Sequence, residues 1–232
     1  MSFLGKSFAI STTYPKIVTN GLVLNLDAGQ QNSYRGSGTI WTDLSGRGNT
    51  GTLTNGPTYS STNGGSIVFD GSNDYVEVPH NTILNPSLNM TLSAWIKITS
   101  FVGDMSIFGK GINSFGSGGF DFRINSSTQL NLVKYFVADQ VITIPALSTN
   151  TWHNISAVQS STKVDYYVNG LSVGSFSNSS AYQTNTSSLI VGRDRSAIHT
   201  PASISNVLYY NRALSAAEVS QNFNALRGRY GI

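Results

Sequence analysis

A chain of 232 residues, 39% hydrophobic and only 11% charged, has the length of one large all-β domain with a single core. It has no cysteine, which excludes disulfides, thiolate metal sites and a cysteine nucleophile. Its net charge of +3 is scattered, dense only at Arg193-Asp194-Arg195 and Arg227-Gly228-Arg229, so no nucleic-acid footprint is read, and no apolar run of about 18 residues is present to span a membrane.

Residues 1–20 lack sustained periodicity and carry Lys6 and Lys16 around Tyr14-Pro15. They read as an extended N-terminal arm ahead of a domain over 21–232, either a loose terminus or a tether. The apolar run over 3–10 is short and broken by Lys6, so it is no signal-peptide core. A first strand is expected over 21–29, with Leu22, Leu24 and Leu26 on one face. The stretch from Trp41 to Gly51 follows, and its closely spaced glycines and Asx residues are turn chemistry; with no helical pattern and no Lys-Ser/Thr in register after it, it is not a phosphate loop.

Strands over 66–70 and 75–78 form a hairpin around Gly71-Ser72-Asn73-Asp74. The longest clean alternation is 90–98, where Leu92, Ala94, Ile96 and Ile98 share a face. Trp95 lies on the other face, with two readings open: a cap on that side of the sheet under a loop, or a platform for stacking a sugar. Gly-rich turns and short aromatic strands (119–124, 130–133) fill 101–135, and a further strand is expected over 137–144. The stretch 151–174 reads as three strands: Ile155 and Ala157, then Val164, Tyr166 and Val168, then Leu171 and Val173 after Asn169-Gly170, which suits a two-residue hairpin turn. The alternation implies one buried and one wet sheet face. Strands over 187–192 and 202–210 close an all-β sandwich of about a dozen strands. One helix comes last: Ser215 and Glu218 form a capping box, Leu214 and Val219 a hydrophobic staple, and Gly228 follows the stop.

Four blocks carry a resemblance. They are Leu22-Val-Leu-Asn-Leu-Asp27 with Trp41-Thr-Asp43-Leu-Ser-Gly46; Val68-Phe-Asp70-Gly-Ser-Asn-Asp74-Tyr-Val-Glu-Val; the 151–174 meander; and Ile204 to Val219. In this order, over roughly 21–226, they resemble laminin G-like domains of the concanavalin A-like jelly-roll superfamily. The opening block is also similar to virion proteins of tailed phages. The resemblance implies a jelly roll of two antiparallel sheets with a short C-terminal helix, binding glycans or proteins through rim loops, often with calcium. It makes Asp70, Asn73 and Asp74 candidate Ca²⁺ ligands, a carboxylate-amide-carboxylate turn of hard oxygens; as turn chemistry alone the same residues are an Asx hairpin. Candidate sugar-stacking rings are Trp41, Trp95, Tyr135, Tyr166 and Tyr167, with Tyr209 and Tyr210.

Hydrolysis of a glycosidic bond needs two carboxylates about 5 to 10 Å apart. The only glutamates, Glu77 and Glu218, are isolated or engaged in capping; no Asp-x-Asp or Asp-x-Glu pair sits on an expected strand, and His80, His153 and His199 are scattered. No enzyme is expected. The expected function is that of a multi-copy virion structural protein, a capsid decoration or fibre-associated subunit bound to other virion proteins by its arm. The alternative is a calcium-assisted carbohydrate-binding module, acting in adhesion or beside a hydrolase and placed extracellularly.

Overall fold

The computed structural model describes residues 15–111, 118–194 and 196–232. Its strands in chain order are β1 (Leu22–Asp27), β2 (Ile40–Trp41), β3 (Gly51–Thr54), β4 (Thr58–Ser60), β5 (Ser66–Asp70), β6 (Tyr75–Val78), β7 (Met90–Ile98) and β8 (Met105–Lys110). There follow β9 (Phe120–Ser126), β10 (Gln129–Lys134), β11 (Val141–Thr143), β12 (Trp152–Gln159), β13 (Lys163–Val168), β14 (Leu171–Ser177), β15 (Leu189–Val191) and β16 (Pro201–Tyr210), then one α-helix, α1 (Ala216–Leu226). Two antiparallel sheets result. The first runs β14-β13-β12-β7-β16-β5-β4, with β1 also on β16; the second runs β11-β10-β9-β8-β15-β6-β3-β2. This is the expected all-β jelly-roll sandwich with a short C-terminal helix.

The core lies between the sheets. Leu92, Ala94, Ile96 and Ile98 of β7 all point inward, joined by Ile155, Ala157, Val207 and Tyr209, and they meet Phe108, Phe120, Phe122, Leu130 and Leu132 of the second sheet. Such side chains each contribute roughly 1.5–3 kcal/mol on full burial, and without disulfides this burial is the main source of stability.

The expectation of a wet outer face fails for the first sheet. On its outer side Trp95, Trp152, Tyr167, Leu208 and Tyr210 are all buried, because α1 and residues 15–20 lie across them. Trp95 is stacked between Phe223, at 5.6 Å, and Tyr230, at 4.0 Å. The polar residues that made the strands look half-exposed bond one another instead: Ser156 Oγ donates to Ser93 Oγ at 2.8 Å. The hairpin turn has φ of 50° at Asn169 and 75° at Gly170, as a tight primed turn requires. A Cβ on Gly170 would lie 2.9 Å from Phe223, so the turn is seated against the helix. The capping box forms, with Ser215 Oγ accepting from Glu218 N; Glu218 also grips Arg212 at 2.6 Å, and that bond, with the Ser215 amide, holds its carboxyl down to about 2.

Residues 1–14 of the expected arm lie outside the described residues. The rest is docked: Val18 is buried, its amide donates to Asn222 Oδ1 at 2.8 Å, and its carbonyl accepts from the Tyr210 hydroxyl at 2.8 Å. Two stretches differ from expectation. Strands β2, β3 and β4 occupy and follow the stretch read as turn, being two to four residues long, too short for alternation to register. The strand expected over 137–144 shrinks to β11, because Phe136 turns the chain at a φ of 62° and Gln140 folds inward to donate to the Leu132 carbonyl.

Candidate functional site

The candidate stacking rings are all withdrawn from solvent. Trp41, Tyr166 and Tyr209 belong to the intersheet core, and Trp95, Tyr167 and Tyr210 to the clusters under α1. Tyr135 packs with Val133 and Ile190 on the outer side of the second sheet. An aromatic ring stacks a sugar only with one face open, and none of these seven is more than 7% exposed. The hydroxyls of Tyr135, Tyr166, Tyr209 and Tyr210 are used internally: Tyr166, for one, accepts from Leu132 N and donates to the Gln140 carbonyl.

The turn at Asp70, Asn73 and Asp74 is closed on itself. Asp70 Oδ1 accepts from Ser72 N at 2.7 Å and from Asn73 N, and Asp74 Oδ2 accepts from Asp70 N at 3.0 Å. The Ser72 amide pulls the Asp70 carboxyl below its ordinary value, whereas burial pushes Asp74 up. A calcium cage needs six to eight oxygens free to turn toward the ion. Here one oxygen of each carboxylate is spent on backbone amides, and among the described residues no three His, Asp or Glu side chains gather as a metal-binding group. The residues fit an Asx hairpin and do not fit the cage.

A charged cluster that the sequence reading overlooked lies on β9. Strand alternation puts Asp121 and Arg123 on the outer side, opposite Phe120 and Phe122. Asp121 is fully buried and accepts from Ser106 Oγ at 2.5 Å, Arg123 Nε at 2.6 Å and the Tyr135 hydroxyl at 3.1 Å. Burial pushes its carboxyl up while Arg123 works against that. A carboxylate so enclosed has no lone pair aimed at a substrate; it holds a face in place. Glu77 accepts from Ser188 Oγ at 2.7 Å, and His153 is buried with Nε2 on the Ser148 carbonyl, its pKa pushed down by burial. Two buried lysines hold the segment 178–188. Lys110 Nζ lies 2.9 Å from His80 Nδ1 and donates to the Ser187 carbonyl, and Lys134 Nζ donates to the Ser180 carbonyl at 2.7 Å. Burial pushes both ammonium groups down to about 8.

The connection from β1 to β2 is built differently. Its framework is fixed by backbone and buried groups: Ser33 Oγ donates to the Thr42 carbonyl at 2.6 Å and accepts from Asp27 N, Thr42 N donates to the Ser33 carbonyl at 2.8 Å, and Leu53 N to the Thr39 carbonyl at 2.7 Å. Tyr34 is buried against Tyr59, at 5.4 Å, and its hydroxyl donates to the Gly38 carbonyl at 2.7 Å. Gly36 and Gly38 take φ of 87° and 86°, open to glycine without strain. Around this framework lies a cavity of about 350 Å³ lined by Gln31, Asn32, Arg35, Ser37, Thr39 and Ile40 among others, within the range of about 300–1,000 Å³ usual for small-ligand pockets. A second cavity, of about 360 Å³, lies where residues 15–19 meet Asp27 and Arg229, but there Asp27 and Arg229 already pair at 2.7 Å.

A sequence model described as the concanavalin A-like lectin/glucanases superfamily, of laminin G type, matches residues 70–220. No curated protein matches the chain in sequence. Among solved structures, domain 4 of AbnA, a GH43 extracellular arabinanase from Geobacillus stearothermophilus in complex with arabinotriose, aligns with a TM-score of 0.71 at 18% identity, covering 87% of this chain and 97% of that one. The binding domain of Paraclostridial Mosquitocidal Protein 1 aligns at 0.68 and 19%, over 89% and 52% of the two chains. Trypanosoma rangeli sialidase aligns at 0.66 and 17%, over 90% and 33%. The chain thus spans about half of the second and a third of the third, and at such identities the likeness is one of fold.

Proposed function

We propose that this chain, which belongs to the concanavalin A-like lectin/glucanase superfamily, is a non-enzymatic binding module that holds a saccharide in the pocket of its β1–β2 connection. The observation that carries this reading is the division of labour there. Buried Ser33 and Tyr34 hold the backbone framework, and the side chains of Gln31, Asn32, Arg35 and Ser37 make no hydrogen bond or ion pair among the described residues, so amide, guanidinium and hydroxyl groups are available to a polar ligand. The complex of AbnA domain 4 with arabinotriose supports a saccharide as the kind of ligand.

Support for the absence of catalysis comes from the carboxylates: Asp27, Asp121 and Glu218 are paired with Arg229, Arg123 and Arg212, and Glu77 is bonded to Ser188. Display on a particle, as a subunit of a tailed-phage virion, is the second part of the proposal; residues 15–20 dock on the domain, with Val18 N on Asn222 Oδ1, and residues 1–14 would be the tether. Many copies would then turn weak sugar contacts into firm attachment. A glycan array with the full chain tests the binding: silence on every glycan refutes it. Particle incorporation of a variant lacking residues 1–14 tests the display, and undiminished incorporation refutes that. The cut belongs at 14 because Val18 is part of the fold.

A further inference from the structure

We infer that the pocket of the β1–β2 connection selects a carboxylated saccharide, such as a chain bearing a uronic acid, and that Arg35 determines that choice. The inference rests on the saccharide-binding reading and adds to it the class of sugar. Arg35 is exposed, and among the described residues it forms no ion pair; every other pocket-lining residue is neutral. The arginines at 123, 212 and 229 are consumed by carboxylate partners; Arg47 and Arg227, like Arg35, have none among the described residues, but of these only Arg35 lines this pocket. A guanidinium with both outer nitrogens free accepts a planar carboxylate through two parallel hydrogen bonds. An anion entering this pocket meets no acid to repel it, and the overall charge of +3 favours its approach.

Around that fork, Gln31 and Asn32 offer carbonyl acceptors and amide donors, the complement of vicinal hydroxyls on a sugar ring. Ile40, 54% exposed, supplies an apolar patch for the C–H side of the same ring. The backbone is held through the Tyr34 to Gly38 bond and the Ser33 to Thr42 pair, so the ordering left for binding is that of the ligand-facing side chains, at about 0.5–1.5 kcal/mol each.

Calorimetry on the full chain with a disaccharide ending in glucuronic acid, and with its glucose-ending counterpart, tests the inference. The acidic sugar should bind about tenfold or more tighter, the size of a charge-assisted contact. Arg35→Gln should bring the two sugars level, and Arg35→Lys should keep part of the preference, with the thermal melt unchanged in both variants. Equal affinity for the two sugars, an unaltered preference in Arg35→Gln, or displacement of the acidic sugar by inorganic sulfate at matched concentration overturns the inference and leaves the saccharide reading in place. Binding of neither disaccharide, together with silence on the array, overturns both.

Discussion

The turn at 70–74 and the connection over 28–39 are both polar and broken by glycine, yet their polar side chains have opposite fates. In the turn, Asp70 and Asp74 bond the backbone amides that shape it. In the connection, backbone carbonyls, Ser33 and Tyr34 do that work, and the side chains of Gln31, Asn32 and Arg35 are spared. A polar loop binds a ligand when something other than its ligand-facing groups holds it. Asp43 is an extreme of the first kind: it accepts from Asn25 N, Ser45 N, Ser45 Oγ and Asn49 N within 2.9 Å.

Changing groups that hold structure should cost stability, whereas changing groups that stand free should cost only binding. The largest effect is expected for Asp121→Ala, which takes away the close partner of the Arg123 guanidinium and leaves it Asp104 at 3.6 Å; breaking a buried pair costs about 3–5 kcal/mol. A urea melt displaced by under about 1 kcal/mol would refute the buried-clamp role. Asp43→Ala should follow, with a loss of about 2–4 kcal/mol from several amides left unsatisfied. Asp74→Ala should cost less, about 1 kcal/mol, and leave saccharide affinity untouched. Arg35→Gln should shift the melt by less than about 0.5 kcal/mol while its binding changes. EDTA should leave both the melting temperature and saccharide binding unchanged, because the 70–74 turn is held by its own carboxylate-to-amide bonds.

The segment 178–188 falls between the two kinds of loop, held by the ammonium groups of Lys110 and Lys134. Burial pushes both down to about 8, so between there and the ordinary lysine value of about 10.4 the unfolded chain binds more protons than the folded one, and stability rises with pH. His153 acts in the same sense at lower pH: its pKa is depressed by burial, so stability falls as pH drops below about 6.5 and the unfolded imidazole takes up its proton. Melting temperatures measured from about pH 5 to 9, below the range where the buried tyrosines, pushed up by burial, act in the opposite sense, check both slopes; a decline between about pH 8 and 9 would contradict the lysine burial.

The capping box at Ser215 and Glu218, the Asn169-Gly170 turn and the inward row from Leu92 to Ile98 were legible in the sequence because each is a local pattern with one physical solution. The sugar-stacking rings were not. Trp95 shares its strand face with Ser93 and Lys97, and Tyr167 shares its face with Asp165, as they would on an open face; only Phe223 and Tyr230, far along the chain, cover Trp95, and Val18 and Val219, from opposite ends of it, join the cluster that holds Tyr167. The spacing of Asp121 and Arg123 held a readable signal, since residues two apart on a strand share a face.

The sequence by itself determined the all-β class, the core faces and the capped helix, since periodicity and turn chemistry act over a few residues. Tertiary structure alone decided which polar groups would be consumed and which left over. Whether Arg35, Asp70 or Trp95 meets a partner depends on elements far away in the chain, and an alternating pattern reads the same whether water or a helix lies above it.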